Sequence, residues 1–253
     1  MRLRQLRALA TIGTALSAVS LAAETPRVWV THLVGPLYLV EDSFYSKENS
    51  MFFVGPRHVT VIGATWSPET ARLLDAEIRA TTDKPVREVV ITNYHPDRAG
   101  GNAYWKSRGA SIVSTAMTRD LLEHEWDAVV KWTRAAIPDY PALPVTMPTD
   151  VRPGDFAIQD GRVQVFHLGA SHTRDGVFVY FPDQAVLYGG CILKEQLGNL
   201  AFADVAEYPR TLERLQHRRL ALKTVVAGHG SPVHGPDLID RYLALVKGAA
   251  AGH

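Results

Sequence analysis

Hydrophobic and polar positions divide the chain into short apolar runs followed by segments of helical period, and this order occurs twice. Val28 to Val34, Leu37 to Glu41, Met51 to Val54 and His58 to Ile62 are β-rich runs parted by Gly-Pro and polar turns, which predicts a meander. The period then lengthens. After Trp66-Ser67-Pro68, the residues Ala71, Leu74 and Ile78 fall on one helical face, with Ser67 placed to cap the helix and Pro68 in its first turn. Val86 to Thr92 is a mostly apolar strand that ends at Asn93. Ala99-Gly100-Gly101-Asn102 leads into a short helix stopping near Gly109. A longer helix over Thr118 to Ala136 carries Leu122, Trp126, Val129 and Val130 at helical spacing. Trp126 and Trp132 read as core or lid residues.

Pro138 to Pro153 is rich in proline and reads as a rigid surface loop. The second half returns to strands at Val163 to Leu168, Val177 to Phe181 and Ala185 to Tyr188. A helix follows near Pro209 to Arg218, then a strand at Thr224 to Ala227 and a final helix near Pro236 to Lys247. The pattern predicts one two-layer α/β domain over residues 24–253, since a chain of this length suits a single large core and no repeat or linker interrupts it.

Residues 1–23 fall outside that domain. Arg2, Arg4 and Arg7 precede an apolar stretch from Ala8 to Ala23, and Ser20-Leu21-Ala22 has small residues where a signal peptidase cuts. The stretch is short and interrupted for a bilayer span of about 20 apolar residues. It therefore predicts a signal peptide removed after Ala22 or Ala23 and an exported protein with no membrane contact afterwards.

Charge changes the picture by exclusion. The chain has 27 basic and 26 acidic side chains. With no basic block interleaved with aromatics, nothing points to nucleic acid or an anionic surface, and a small molecule is the expected partner. Nothing calls for more than a monomer. The single cysteine, Cys191, cannot form an internal disulfide in an exported protein, and binding a metal as thiolate resolves that conflict.

Cys191 has company. Asn93-Tyr94-His95-Pro96-Asp97 begins where a buried strand ends, and His172, Cys191 and His229 each lie just after a later strand. Loops at strand ends are where a rigid scaffold displays chemistry. These nitrogen, oxygen and sulfur donors are those zinc prefers. One pocket can be built from Asp97, Cys191 and His229, whose carboxylate and thiolate neutralise a divalent ion and leave a fourth position open. The other can hold His95 and His172 with Asn93, but a neutral amide is a poor zinc ligand. The expectation is one zinc per chain, with His95 and His172 as neighbouring imidazoles able to orient a water or take its proton. Lys194 and Asn199, shortly after Cys191, suit a substrate bearing a carboxylate and a carbonyl. The remaining histidines lack such company and are read as structural.

The segments that begin at Asn93 (Asn-Tyr-His-Pro-Asp-Arg-Ala-Gly-Gly-Asn-Ala-Tyr-Trp), Gly169 (Gly-Ala-Ser-His-Thr) and Cys191 (Cys-Ile-Leu-Lys-Glu-Gln-Leu-Gly-Asn-Leu), with Gly228-His229, resemble the metallo-β-lactamases. In particular they resemble the mono-zinc, carbapenem-selective subclass (B2), for which Asn93 in place of a first histidine is the mark. The resemblance runs from about Val28 to Val246 and implies an αββα sandwich of two mixed sheets flanked by helices. It implies a periplasmic location and hydrolysis of the β-lactam amide, preferentially in carbapenems, hence antibiotic resistance, with Asp97, Cys191 and His229 on zinc. It further implies catalytic roles for His95, Asp97 and His172, substrate contacts from Lys194 and Asn199, and a second, inhibitory metal pocket at Asn93, His95 and His172. Two positions depart from the family pattern: Gly190 stands where asparagine is expected and Gly230 where aspartate is. Another zinc hydrolase of the same scaffold, a thioesterase or lactonase, is the nearest alternative, although such relatives carry a fuller histidine motif. A periplasmic zinc-binding protein without turnover is the other, and it would have no use for Lys194 and Asn199 beside an open metal position.

Overall fold

The structure, a computed structural model, describes residues 28–252. The signal segment expected over residues 1–23 and His253 lie outside them. Among the described residues, no helix is long and apolar enough to cross a membrane.

Two mixed sheets stack face to face. In the first, β1 (Val28–Val34), β2 (Leu37–Asp42), β3 (Glu48–Val54), β4 (Val59–Ile62), β5 (Val86–Val90), β6 (Ser111–Thr115) and β7 (Asp150–Arg152) lie side by side in chain order. Pairing is antiparallel from β1 to β4 and parallel from β4 to β7. The second sheet contains β8 (Asp155–Ile158), β9 (Val163–Phe166), β10 (Phe178–Phe181), β11 (Val186–Gly190), β12 (Thr224–Ala227) and β13 (Val233–His234), ordered β13-β12-β11-β10-β9-β8.

Period-two alternation sorts the side chains into three layers. Leu39, Met51, Phe53, Ile62, Val90 and Val113 of the first sheet face Val165, Val179, Phe181, Val186 and Val226 of the second. Phe53 and Phe181 stack across this layer with ring centroids 6.1 Å apart. On the far side of the first sheet, Phe52, Val61, Val89 and Ile112 pack against α1 (Pro68–Thr81), through Ala71, Leu74 and Ile78, and against α4 (Ala116–Ala136), through Leu122, Trp126 and Val129. On the far side of the second sheet, Phe178, Leu187 and Val225 pack against α5 (Tyr208–His217) and α6 (Leu238–Ala251). The result is the αββα sandwich expected from the sequence.

Several boundaries differ from that expectation for identifiable reasons. β3 begins at Glu48, three residues before the apolar run, because Glu48, Asn49 and Ser50 are fully buried polar residues with partners. The sequence pattern does not predict strands β6, β8 or β13. Thr115 ends β6 and caps α4 by accepting from the Thr118 N–H at 3.2 Å, so the helix starts at Ala116. The proline-rich segment from Pro138 to Pro153 is not a free surface loop. Its Tyr140 is buried and donates to the Trp66 carbonyl at 2.7 Å, the Thr149 N–H reaches the Ile112 carbonyl at 3.0 Å, and Asp150–Arg152 completes the first sheet as β7. Proline bars donors, not docking, and the non-proline residues between supply the bonds. The last helix runs past Lys247 to Ala251.

Because Phe53 is 1% exposed and bridges the two sheets, Phe53→Ala is expected to lower the unfolding free energy by about 3–5 kcal/mol in denaturant titration. A loss under about 1 kcal/mol would show that the sheets are not held together through this layer.

Candidate metal centre

Each candidate ligand is delivered by a strand end followed by a tight local bond. Beyond β5, the Asn93 side-chain oxygen accepts the His95 N–H at 2.9 Å, closing a turn of the kind asparagine favours. Pro96 then opens a one-turn helix, α2 (Pro96–Ala99), which carries Asp97 in its first turn. Beyond β11, the chain turns at Gly190, whose φ of +49° is open to glycine at little strain, and Cys191 follows. The departure at Gly190 thus coincides with the backbone turn that presents the sulfur. His229 follows β12 by two residues, and its Nδ1 lies 2.9 Å from the Lys47 carbonyl. That contact keeps a proton on Nδ1 and turns Nε2 toward Asp97 and Cys191.

These elements bring together Asp97, Cys191 and His229. Asp97 Oδ2 lies 3.1 Å from Cys191 Sγ and 3.2 Å from His229 Nε2, and the sulfur and that nitrogen are 3.6 Å apart. Among the described residues this is the one group of three or more His, Cys, Asp or Glu side chains placed to hold a metal. Tetrahedral zinc with ligand bonds of about 2.0–2.3 Å needs donors about 3.3–3.8 Å apart, and the triangle comes close to those edges. The donor set fits zinc in chemistry as well: one carboxylate, one thiolate and one imidazole whose outer nitrogen is already tied.

Electrostatics favour the charged forms of this set. Burial opposes ionisation of Asp97, yet Arg98 and His229 hold its carboxyl well below the usual range. Burial likewise opposes protonation of His229, but its bonds to Asp97 and Cys191 push the imidazole up to about 10 when no cation shares those anions. Such a proton must leave before a metal can bind, so uptake of the metal releases it.

His95 and His172 sit alongside, with ring centroids 5.2 Å apart and planes nearly perpendicular. Burial pushes His95 down to about 4 against the pull of Asp97. His172 is held well below the usual histidine value by burial and then by Lys194, whose Nζ is 3.2 Å from its Nδ1. Both rings are therefore neutral at physiological pH and available as hydrogen-bond partners. His95 Nε2 is buried with no partner, facing chemistry that protein atoms leave unanswered. Asn93 differs from the two histidines, because its side-chain oxygen is occupied by the turn.

A cavity of about 440 Å³ opens over this cluster. Its polar side is lined by His95, Asp97, His172, Lys194, Asn199 and His229, and its apolar wall by Trp66, Val129, Trp132 and Phe202. Lys194 is buried, and Asn199 is exposed with its side-chain oxygen accepting the Ala201 N–H at 2.7 Å. Trp132 meets Phe202 edge to face at 5.3 Å, so of the two tryptophans considered from sequence, Trp126 belongs to the core and Trp132 to the pocket wall. Sequence reasoning missed Trp66 and Phe202, which no local pattern marks as pocket residues. It also passed over Arg98 and Glu48, although Arg98 stands next to Asp97 in the motif.

The two-sheet sandwich carries at its strand ends a carboxylate–thiolate–imidazole cluster able to hold a metal ion. Residues 46–229 match the model of the metallo-beta-lactamase superfamily. The chain is 31% identical to a metallo-beta-lactamase type 2 of Elizabethkingia meningoseptica over 239 residues, covering 88% of this chain and 90% of that protein. The fold is similar to that of a metallo-beta-lactamase from Pontibacter korlensis, at TM-score 0.75 and 25% identity over 87% of this chain and 99% of the other. It is also similar to the DIM-1 metallo-beta-lactamase, at TM-score 0.77 and 22% identity over 89% of this chain and 100% of the other. The chain belongs to the metallo-beta-lactamase superfamily and is a zinc-dependent hydrolase of the β-lactamase class.

Cys191→Ser is expected to fold, because the residue is small and buried, but to lose both bound zinc and activity by metal analysis and turnover assay. Zinc retained at the wild-type stoichiometry would show that the sulfur is not a ligand.

Proposed function

We propose that this protein hydrolyses the β-lactam amide with one zinc ion, held by Asp97, Cys191 and His229, and that it acts preferentially on carbapenems. The observation that carries the single-zinc reading is the Asn93 side chain, whose oxygen accepts the His95 N–H at 2.9 Å. A position that could have supplied a third imidazole beside His95 and His172 supplies a neutral amide already in use, so that pocket binds a cation weakly. Occupied by excess zinc, it would take His95 and His172 away from water and substrate, which makes the second ion inhibitory.

Bound zinc would stabilise the negative charge that develops on the ring nitrogen as the amide opens. The chain's own groups do the rest. Lys194, at the cavity wall, receives the substrate carboxylate, and Asn199 offers its amide N–H to the carbonyl region. His95 and Asp97 hold the attacking water, with His172 beside them. Trp66, Val129, Trp132 and Phe202 form an apolar wall that excludes bulk water and suits a compact bicyclic substrate. With the basic, apolar N-terminal segment read as an export signal, the site of action is the periplasm, and the protein works as a monomer.

Purified protein titrated with zinc should reach maximal hydrolysis of imipenem or meropenem at one equivalent and slow beyond it, with benzylpenicillin and a cephalosporin turned over far more slowly. Equal rates on all three substrate classes would discard the carbapenem preference. Stimulation by the second equivalent would discard the single-zinc reading.

A further inference from the structure

Beneath the ligand triangle lies an arginine with no contact to solvent. Arg98 and Glu48 are both 0% exposed, and Arg98 Nη1 donates to Glu48 Oε2 at 2.6 Å. The opposite end of the same guanidinium faces the ligands, with Nε 3.1 Å from Cys191 Sγ and 3.1 Å from Asp97 Oδ2. Nη2 donates to the Gly228 carbonyl at 2.9 Å, one residue before His229. Nη2 also lies 3.5 Å from His229 Nε2, so one planar cation borders all three candidate ligands, while its far side is matched by a carboxylate.

We propose that Arg98 and Glu48 form a positioning pair for the metal centre: Arg98 holds the carboxylate and thiolate in liganding geometry ahead of the metal, and Glu48 cancels its charge so that the clamp does not repel the cation.

Charge counting supports this division of labour. A divalent zinc with an ionised Asp97, an ionised Cys191 and a neutral His229 is a neutral unit. A guanidinium 3.1 Å from both anionic ligands would add an uncompensated positive charge beside the ion, in a region where water cannot screen it. Glu48 removes that charge at the only face of the guanidinium pointing away from the metal ligands and Gly228. The slot around the pair is shaped for it. Ser50 Oγ donates to the Glu48 carboxylate at 2.9 Å, and the Tyr188 hydroxyl accepts from Arg98 Nη1 at 2.7 Å. Gly63, with φ of +86°, closes the slot, since a Cβ there would lie 2.8 Å from Ser50 Oγ and 3.6 Å from Arg98 Nη1. A larger residue at position 63 would displace the serine that orients Glu48.

The inference rests on the reading that Asp97, Cys191 and His229 bind zinc, and the two are separable. The experiment measures the zinc dissociation constant by chelator competition, and the sulfur-to-cobalt charge-transfer band after cobalt(II) substitution, in wild type, Glu48→Gln and Glu48→Asp. Glu48→Gln preserves shape and removes charge, so zinc affinity should fall about 10–100-fold with a displaced charge-transfer band. Glu48→Asp, which restores the charge, should recover most of the loss. A Glu48→Gln protein that folds and binds zinc within twofold of wild type would overturn the inference and reduce the pair to a link between sheets. If Glu48→Gln does not fold, Ser50→Ala, which removes one donor to the same carboxylate, should still weaken zinc by threefold or more, and an unchanged affinity would overturn the inference instead. Wild-type protein that binds no zinc would sink the underlying metal assignment.

Discussion

The Arg98 guanidinium is the interaction around which the rest of the molecule is arranged. It is buried where four parts of the fold meet: the start of β3 through Glu48, Asn49 and Ser50, the one-turn helix α2, the end of β11 through Tyr188 and Cys191, and the turn after β12 at Gly228. Burying such a group far from water is unfavourable unless every donor is answered. Here Nε, Nη1 and Nη2 all have acceptors, drawn from both sheets. The arginine thus makes the separation of the two sheets and the separation of the metal ligands parts of one geometric problem.

That coupling explains why chemistry sits at this edge. Apolar packing between the sheets brings the ends of β5, β11 and β12 together, but it does not orient side chains. Orientation comes from polar contacts a few residues away: Asn93 on the His95 N–H, the Lys47 carbonyl on His229, and Arg98 on Asp97 and Cys191. The same turn that fixes His95 also occupies the Asn93 oxygen, so a single asparagine both shapes the loop and, on the proposed reading, limits the metal count. Burial at this edge raises the Glu48 carboxyl, and the Arg98 guanidinium 2.6 Å away works against that rise, so the carboxylate form of Glu48 depends on the arginine. Asp97, Cys191 and Glu48 all draw on one guanidinium; on the proposed reading, a bound divalent ion would share Asp97 and Cys191 and leave Arg98 to Glu48.

Much of this was legible in the sequence, and the limits were physical. Period-two apolar runs located β1, β2, β4 and the strands leading to Asn93, Cys191 and His229, and helical spacing at Ala71, Leu74 and Ile78 located α1. The convergence of Asp97, Cys191 and His229 was legible because a lone cysteine, a His-x-Asp and a post-strand histidine are each unremarkable but share one position type. Glu48, Asn49 and Ser50 were not legible as strand, since three polar residues signal exposure unless their partners, more than forty residues away in the chain, are known. The segment from Pro138 to Pro153 misled for a related reason: proline content reports missing donors, whereas Tyr140 and Thr149 carry the docking. Pocket-wall residues such as Phe202 depend on tertiary position alone.

X-ray absorption at the zinc edge, recorded on protein loaded with one equivalent of zinc, tests the account most directly. The predicted spectrum contains a single sulfur scatterer at about 2.3 Å, with one imidazole and otherwise oxygen or nitrogen neighbours. A spectrum with no sulfur shell, or with several imidazoles per zinc, would place the ion among His95 and His172 and contradict the account.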